Sequence, residues 1–447
     1  MNSREGDAQA RSTADGVARR SYGKLVAFLA ARTQDVAAAE DALSEAFASA
    51  LADWPLNGCP SNPEGWLLTV ARRKVIDIAR GRRRDEIAAE QLQVMAEGLD
   101  AAATDAEIPD RRLALMFACA HPAIDAGIRA PLILQVVLGL DAATIASAFL
   151  ISPAAMGQRL VRAKNKIRQA GIPFRIPDRE ELRDRLDTVL DAIYAAFAEG
   201  WIDAAGTDIA RRDLAEEAIF LCRLVTELLP TEPEALGLLA LVLHAEARRH
   251  ARRNLHGEYV PLAEQDPALW DSQMIDEAEA LLFRASALGS VGRYQLEGAL
   301  QSAHVCRRRT GRANWAAVVQ LYDALLALSG SPVVAINRAL AIAETHGASA
   351  ALDAMQEVAA DVRLAEYQPY WAARAELLAK TGAHGEARQA YEIAIGLERD
   401  ASVRRFLQQR QSALAPRSHS AVNPSEWPGA AKSILAALSP PYSLPSD

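Results

Sequence analysis

The 447-residue sequence predicts an all-α protein. Alanine is frequent and aromatic residues make up only 6%. Ala is the best helix former, whereas sheets draw on aromatic and β-branched side chains. Apolar residues recur at helical spacing: Leu25, Phe28 and Leu29 form one stripe, Leu43, Phe47 and Leu51 another. PLNGCPSNP at 55–63, rich in Pro, Gly and Asn, reads as a loop, and IPFRIP at 172–177 punctuates the pattern with Pro173 and Pro177.

Taken in order, residues 1–16 are polar and are expected to be disordered. Helical spacing then runs from Val17 to Trp54. A further helix is expected from Glu64 to Arg80, with Asn62 as its cap and Pro63 in its first turn. Residues 85–109 read as an acidic linker. Helical patterning returns over 110–172, and the prolines of IPFRIP mark the expected domain boundary. Paired amphipathic helices fill 178–412, and a Pro/Ser-rich tail occupies 413–447.

Charge is unevenly spread. Residues 1–175 hold 22 Lys+Arg and 20 Asp+Glu, the remainder 27 and 37. A mildly basic front with clustered arginines fits a polyanionic partner, and the acidic remainder fits protein contacts. No apolar run reaches the ~20 residues of a membrane span, and the polar N-terminus does not read as a secretory leader. Cys59, Cys119, Cys222 and Cys306 form no CxxC pair and read as reduced, cytoplasmic thiols. Cys119 and His121 are two ligands where zinc wants four, so no metal or other cofactor is expected. No GxxxxGK[ST], GxSxG or HExxH occurs, and His244, His250 and His256 lie six apart, off a common helix face. The sequence therefore points away from an enzyme.

The segment from Gly139 to Arg168, GLDAATIASAFLISPAAMGQRLVRAKNKIR, has a helix-turn-helix pattern. Ala142 to Phe149 form the first helix. Ser152 caps the second and Pro153 takes its first position. Met156, Leu160, Val161 and Ile167 are expected to pack inward, leaving Gln158, Arg159, Arg162, Lys164, Lys166 and Arg168 in solvent. Such a second helix enters the major groove, where Arg and Gln contact base edges and the later cations reach phosphates. A second basic segment, NPEGWLLTVARRKVIDIARGRRR at 62–84, combines a cationic strip with Trp66, an aromatic able to stack an unpaired base.

The order of DVAAAEDALSEAF, this basic segment, an acidic linker and the helix-turn-helix resembles the extracytoplasmic-function sigma factors, over about residues 20–170. The helical extension is similar to the subgroup with a C-terminal tetratricopeptide-like domain. The resemblance implies region 2 at 17–84 and region 4 at 110–172. It also implies binding of core RNA polymerase through its clamp by Asp35, Glu40, Asp41 and Glu45. Trp66, Arg72, Arg73, Lys74, Asp77 and Arg80 would open and read the minus-ten element of promoter DNA. Ala155, Gln158, Arg159, Arg162, Lys164 and Lys166 would read the minus-thirty-five element. The sequence departs from the pattern at Ser44, Ala142, Ala143 and Gly157, which bears on clamp affinity and promoter preference.

In the extension, Trp371, Ala375, Leu378, Ala387, Tyr391 and Ala394 match the large and small positions of one repeat, with Gly382 in its turn. Helix pairs are also expected around 215–247 and 315–344. Such an extension would regulate the chain or dock a soluble partner. Arg248, Arg249, Arg252 and Arg253 read as a solvated charge run.

Overall fold

The computed structural model describes residues 3–82, 110–149, 151–202, 209–262, 264–311, 314–398 and 400–414. The expected linker and most of the tail lie outside them. The described residues are helical, with no strand; an isolated antiparallel bridge joins Arg253 and Tyr259. The chain divides into two compact units, one of residues 1–200 and 209–224, the other of 201–208 and 225–447.

In the first unit, α1 spans Ser3–Thr33, so the expected disorder of the N-terminus is corrected over its described residues. Ala10, Ala14, Val17 and Ser21 are buried at helical spacing. This line of small residues lets the helix lie close to its neighbours, and it is nearly silent in hydrophobicity. Gln34, at φ 53°, breaks the helix. Asp35 then starts α2, Val36–Asn57, its carboxylate accepting the Ala38 N–H at 3.1 Å. Pro55, assigned to a loop on sequence, lies in the last turn of α2, which closes with the Gly58 N–H on the Trp54 carbonyl at 2.9 Å. Leu43, Ala46, Ala50 and Trp54 form the buried line of α2. Leu51 falls off that line and is 47% exposed, contrary to expectation. Asn62 caps α3, Pro63–Arg82, as expected, its Oδ1 accepting the Gly65 N–H at 2.9 Å.

Four helices follow: α4 Arg112–Cys119, α5 Ala126–Leu138, α6 Ala142–Ala148 and α7 Pro153–Ala170. Asp141 caps α6 and Ser152 caps α7. Gly171, in the left-handed region at φ 60°, ends α7 by turning its N–H back to the last carbonyls.

The expected boundary at IPFRIP is not where the compact units part. Helix α8, Arg179–Ile202, up to Gly200, and most of α9, Ile209–Leu228, belong with the front of the chain. Arg112 of α4 explains part of this. It is buried, ion-paired to Asp110 and to Glu217 of α9, and sits 4.6 Å from the Phe220 ring centroid. The prolines mark a break in helix but not a break in packing.

The second unit contains α10 Pro233–Glu246, α11 Ser272–Ser286, α12 Arg293–Thr310, α13 Trp315–Ser329, α14 Pro332–Gln356, α15 Gln368–Lys380, α16 His384–Leu397 and α17 Ala401–Ser412. Helix α10 packs on both α11 and α12, and the later helices pack on their neighbours in the chain, α13 on α14 and α15 on α16. Glu234 of α10 caps α12 from outside, its carboxylate accepting the Tyr294 and Gln295 N–H groups at 2.8 and 3.2 Å. The residues assigned to a repeat lie on the helix pair α15–α16. Ala375, Leu378, Ala387, Tyr391 and Ala394 are buried, Trp371 packs beside them, and Gly382 turns the chain at φ 84°. The Tyr391 hydroxyl donates to Glu376 at 2.9 Å.

The run at 248–253 is not a solvated face. Arg248 and Arg249 are buried. Arg248 donates to the His244 carbonyl at 3.0 Å and to Gln301 at 2.5 Å. Arg249 pairs with Glu246 at 2.7 Å, and Arg253 with Asp400 at 2.5 Å. Arg249 and Arg252 lie 5.0 and 4.4 Å from the Trp201 ring centroid. Burial, the largest influence, pulls the Arg248 and Arg252 guanidiniums down to about 10, so both stay charged at neutral pH. Carbonyls, carboxylates and an aromatic face take the place of water.

Candidate nucleic-acid interface

Helix α7 carries most of the cations singled out between residues 150 and 170, and its core line fixes where they point. Met156, Leu160, Ala163 and Ile167 are buried at i, i+4, i+7 and i+11. At 3.6 residues per turn this stripe leaves Ala155, Gln158, Arg159, Arg162 and Lys166 together on another face. Gln158, Arg159, Arg162 and Lys166 are exposed and Ala155 is half-buried. Val161, expected to pack inward, is 58% exposed because it misses the stripe. The Arg162 Nε–H reaches the Gln158 carbonyl at 3.3 Å, which aligns its guanidinium along the helix.

Lys164 is placed differently from its expected role. It lies about 180° around the helix from Ala155 and donates to Glu40 of α2 at 2.6 Å. Arg168, one turn further, pairs with Asp35 at 3.2 Å. Thus five of the six residues assigned to one DNA-reading set share a face, and the sixth turns to α2.

Helix α3 presents the second basic set. Trp66 is half-buried and stands edge-on to the buried Trp54, ring centroids 5.4 Å apart. Core packing holds one edge of the indole while part of it reaches solvent. Arg73 is exposed, and Arg72 and Lys74 are half-buried. By register Trp66, Arg73, Asp77 and Arg80 fall on one side of α3, with Arg72 on another. The side chains of Asp77 and Arg80 lie outside the described residues. Lys74 pairs with Glu45 of α2 at 2.7 Å, both ends well exposed. The Ser21 hydroxyl donates to Glu64 and ties α1 to the start of α3.

On α2, Asp41 and Glu45 are exposed, Asp35 is buried as the helix cap, and Glu40 is half-buried. Burial, the largest influence, pushes the Glu40 carboxyl above the usual carboxylate range, and Lys164 pulls it back in part. Residues that sequence reasoning missed are Tyr22 and Gly23 on α1. The one available signal was a lone glycine inside a helical pattern, which marks a close approach.

Among the described residues no group of His, Cys, Asp and Glu is arranged to hold a metal ion. No described helix is long and apolar enough to cross a membrane. The arrangement can bind a polyanion along α7 and α3 and a basic surface along α2.

Comparison with known proteins adds the following. Residues 17–85 match the family model for sigma-70 region 2, which supports an RNA polymerase sigma factor role with core polymerase and promoter DNA as partners. Residues 185–286 match a family of unknown function, DUF6596. No solved structure matches the chain. An uncharacterized protein of Rhizobium meliloti (strain 1021) is 38% identical over 382 residues, 84% of this chain and 90% of the relative. The chain therefore belongs to the family of that Rhizobium meliloti protein and carries sigma-70 region 2 near its N-terminal end.

Proposed function

We propose that the chain is a sigma factor of the extracytoplasmic-function type, working in the cytoplasm. It brings core RNA polymerase to promoters and helps to open them, while the polymerase supplies the chemistry. The observation that carries this reading is the exposed face of α7, with Ala155, Gln158, Arg159, Arg162 and Lys166 aligned on a capped second helix in a chain that also holds sigma-70 region 2. That face has the residue types that read the minus-thirty-five element in the major groove. Trp66 and the cations of α3 would capture unpaired minus-ten bases. Asp41 and Glu45 would engage the clamp, joined by Asp35 and Glu40. The helix pairs of the second unit would serve as a tetratricopeptide-like platform for a soluble regulatory protein.

Run-off transcription with purified core polymerase on a genomic fragment library tests the proposal. Transcripts starting behind a shared two-element motif, only when the chain is added, are expected. Their absence with the whole chain and also with residues 1–228, which keep α8 and α9 with the front of the chain, would overturn it.

A further inference from the structure

Asp35 and Glu40 of α2 are covered by α7, whereas Asp41 and Glu45 stay exposed. Glu40 and Lys164 are each 13% exposed and meet at 2.6 Å. Asp35, 10% exposed, meets Arg168 at 3.2 Å. Around these pairs the fit is close. Gly23 of α1 faces α5 so tightly that a Cβ there would lie 1.8 Å from the Val137 carbonyl oxygen. The Tyr22 ring is 3.3 Å from where a Cβ on Gly139 would stand. The same ring lies within electrostatic reach of Glu40 and Asp41, and burial pushes its hydroxyl well up. Cys119 of α4 is fully buried in the field of Glu40 and Lys164. Helices α1 and α2 on one side therefore pack against α4, α5 and α7 on the other.

We propose that, in the free chain, the edge of α7 bearing Lys164 and Arg168 occupies the Asp35–Glu40 edge of α2, so that core polymerase and α7 compete for that part of its surface. This rests on the sigma-factor reading, which assigns Asp35 and Glu40 to the clamp. Binding polymerase then requires that the contact part, and the apparent affinity is lowered by the fraction of chains that are closed. The contact is built to be displaced. The Glu40–Lys164 pair, taken out of water, recovers little beyond its desolvation, burial acts on Glu40 more strongly than Lys164 does, and the Asp35–Arg168 pair has its cation 43% exposed. The exposed face with Gln158, Arg159 and Arg162 points away from the contact, so closure hides the polymerase surface more than the DNA surface.

Cys119 provides a probe. With the full chain, maleimide labelling of Cys119 reports opening, and Cys222, buried in α9, reports general unfolding. Two variants act independently. Gly23→Ala forces α5 from α1 without altering charge or helix propensity unfavourably. Lys164→Met with Arg168→Met removes both pairs. Each variant should label Cys119 faster by about tenfold or more and bind core polymerase tighter by a similar factor, with Cys222 labelling and helicity unchanged. Unchanged Cys119 labelling in both variants would overturn the contact. Faster labelling with unchanged polymerase affinity would overturn the competition while leaving the sigma reading intact. Faster labelling with no polymerase binding by wild type or either variant would overturn the sigma reading, and the competition with it.

Discussion

Two regions of the molecule hold arginine or lysine in ion pairs, and they do so in opposite ways. In the second unit, Arg248, Arg249 and Arg253 are held by partners close in the fold, and Arg249 and Arg252 flank Trp201. In the first unit, Lys164 and Arg168 reach from α7 across to α2, each with a single acidic partner on a separate helix. A cation enclosed by several groups is structural, because removing it leaves acceptors unpaired in a dry place. A cation paired once across an interface between helices can be exchanged for another partner.

Breaking the enclosed cluster should cost most. Arg248→Ala removes a buried stem and leaves Gln301 and the His244 carbonyl short of a donor, so denaturant unfolding should show a loss of about 2–4 kcal/mol. A loss below about 0.5 kcal/mol would move this arginine into the exchangeable class.

Next comes the neighbouring His244. It is 0% exposed; burial, and secondarily Arg248, hold its imidazole down to about 3, despite Glu279 at 3.4 Å. Its folded value lies below the unfolded one, so its contribution is present above about pH 6.5 and is lost as pH falls toward 3. Stability should decline with a slope of up to about 1.4 kcal/mol per pH unit in that window. His244→Gln should flatten the slope in equilibrium unfolding, and an unaltered slope would assign it to other groups.

The exposed face of α7 should respond in binding and not in stability. Arg159→Ala should cost about 1–3 kcal/mol in promoter affinity of the reconstituted holoenzyme, measured by anisotropy, with little change in unfolding. Gly157→Ala sharpens the same helix. A Cβ there meets nothing within 4 Å, so thermal unfolding should show a gain of up to about 1 kcal/mol. The smallest effect is expected at the exposed Lys74–Glu45 pair, where a double-mutant cycle should give well under about 1 kcal/mol.

The all-helical class, the caps at Asn62 and Ser152, the pair α15–α16 and the two basic segments were legible in sequence because each rests on local chemistry. Three features were not. The N-terminal helix is carried by buried alanines, whose hydrophobic signal is too weak to stand out. The boundary between compact units ignores the prolines in part because Arg112 finds Glu217 over a hundred residues away. The fate of each basic residue is set by what lies opposite. Lys164 and Lys166 look alike in sequence, yet one meets Glu40 and the other faces solvent. In the candidate site, helical periodicity put Gln158, Arg159 and Arg162 on the surface, but no local rule could reveal that α2 sits against the far edge of the same helix.

On this proposal α7 has two working faces, one for DNA and one for α2. Run-off transcription with core polymerase, comparing Arg162→Ala with Lys164→Met, tests it most directly. Two such faces should give opposite directions: less transcript for Arg162→Ala, and as much or more for Lys164→Met at limiting polymerase. A parallel fall in both would contradict it, since both residues would then serve the same face.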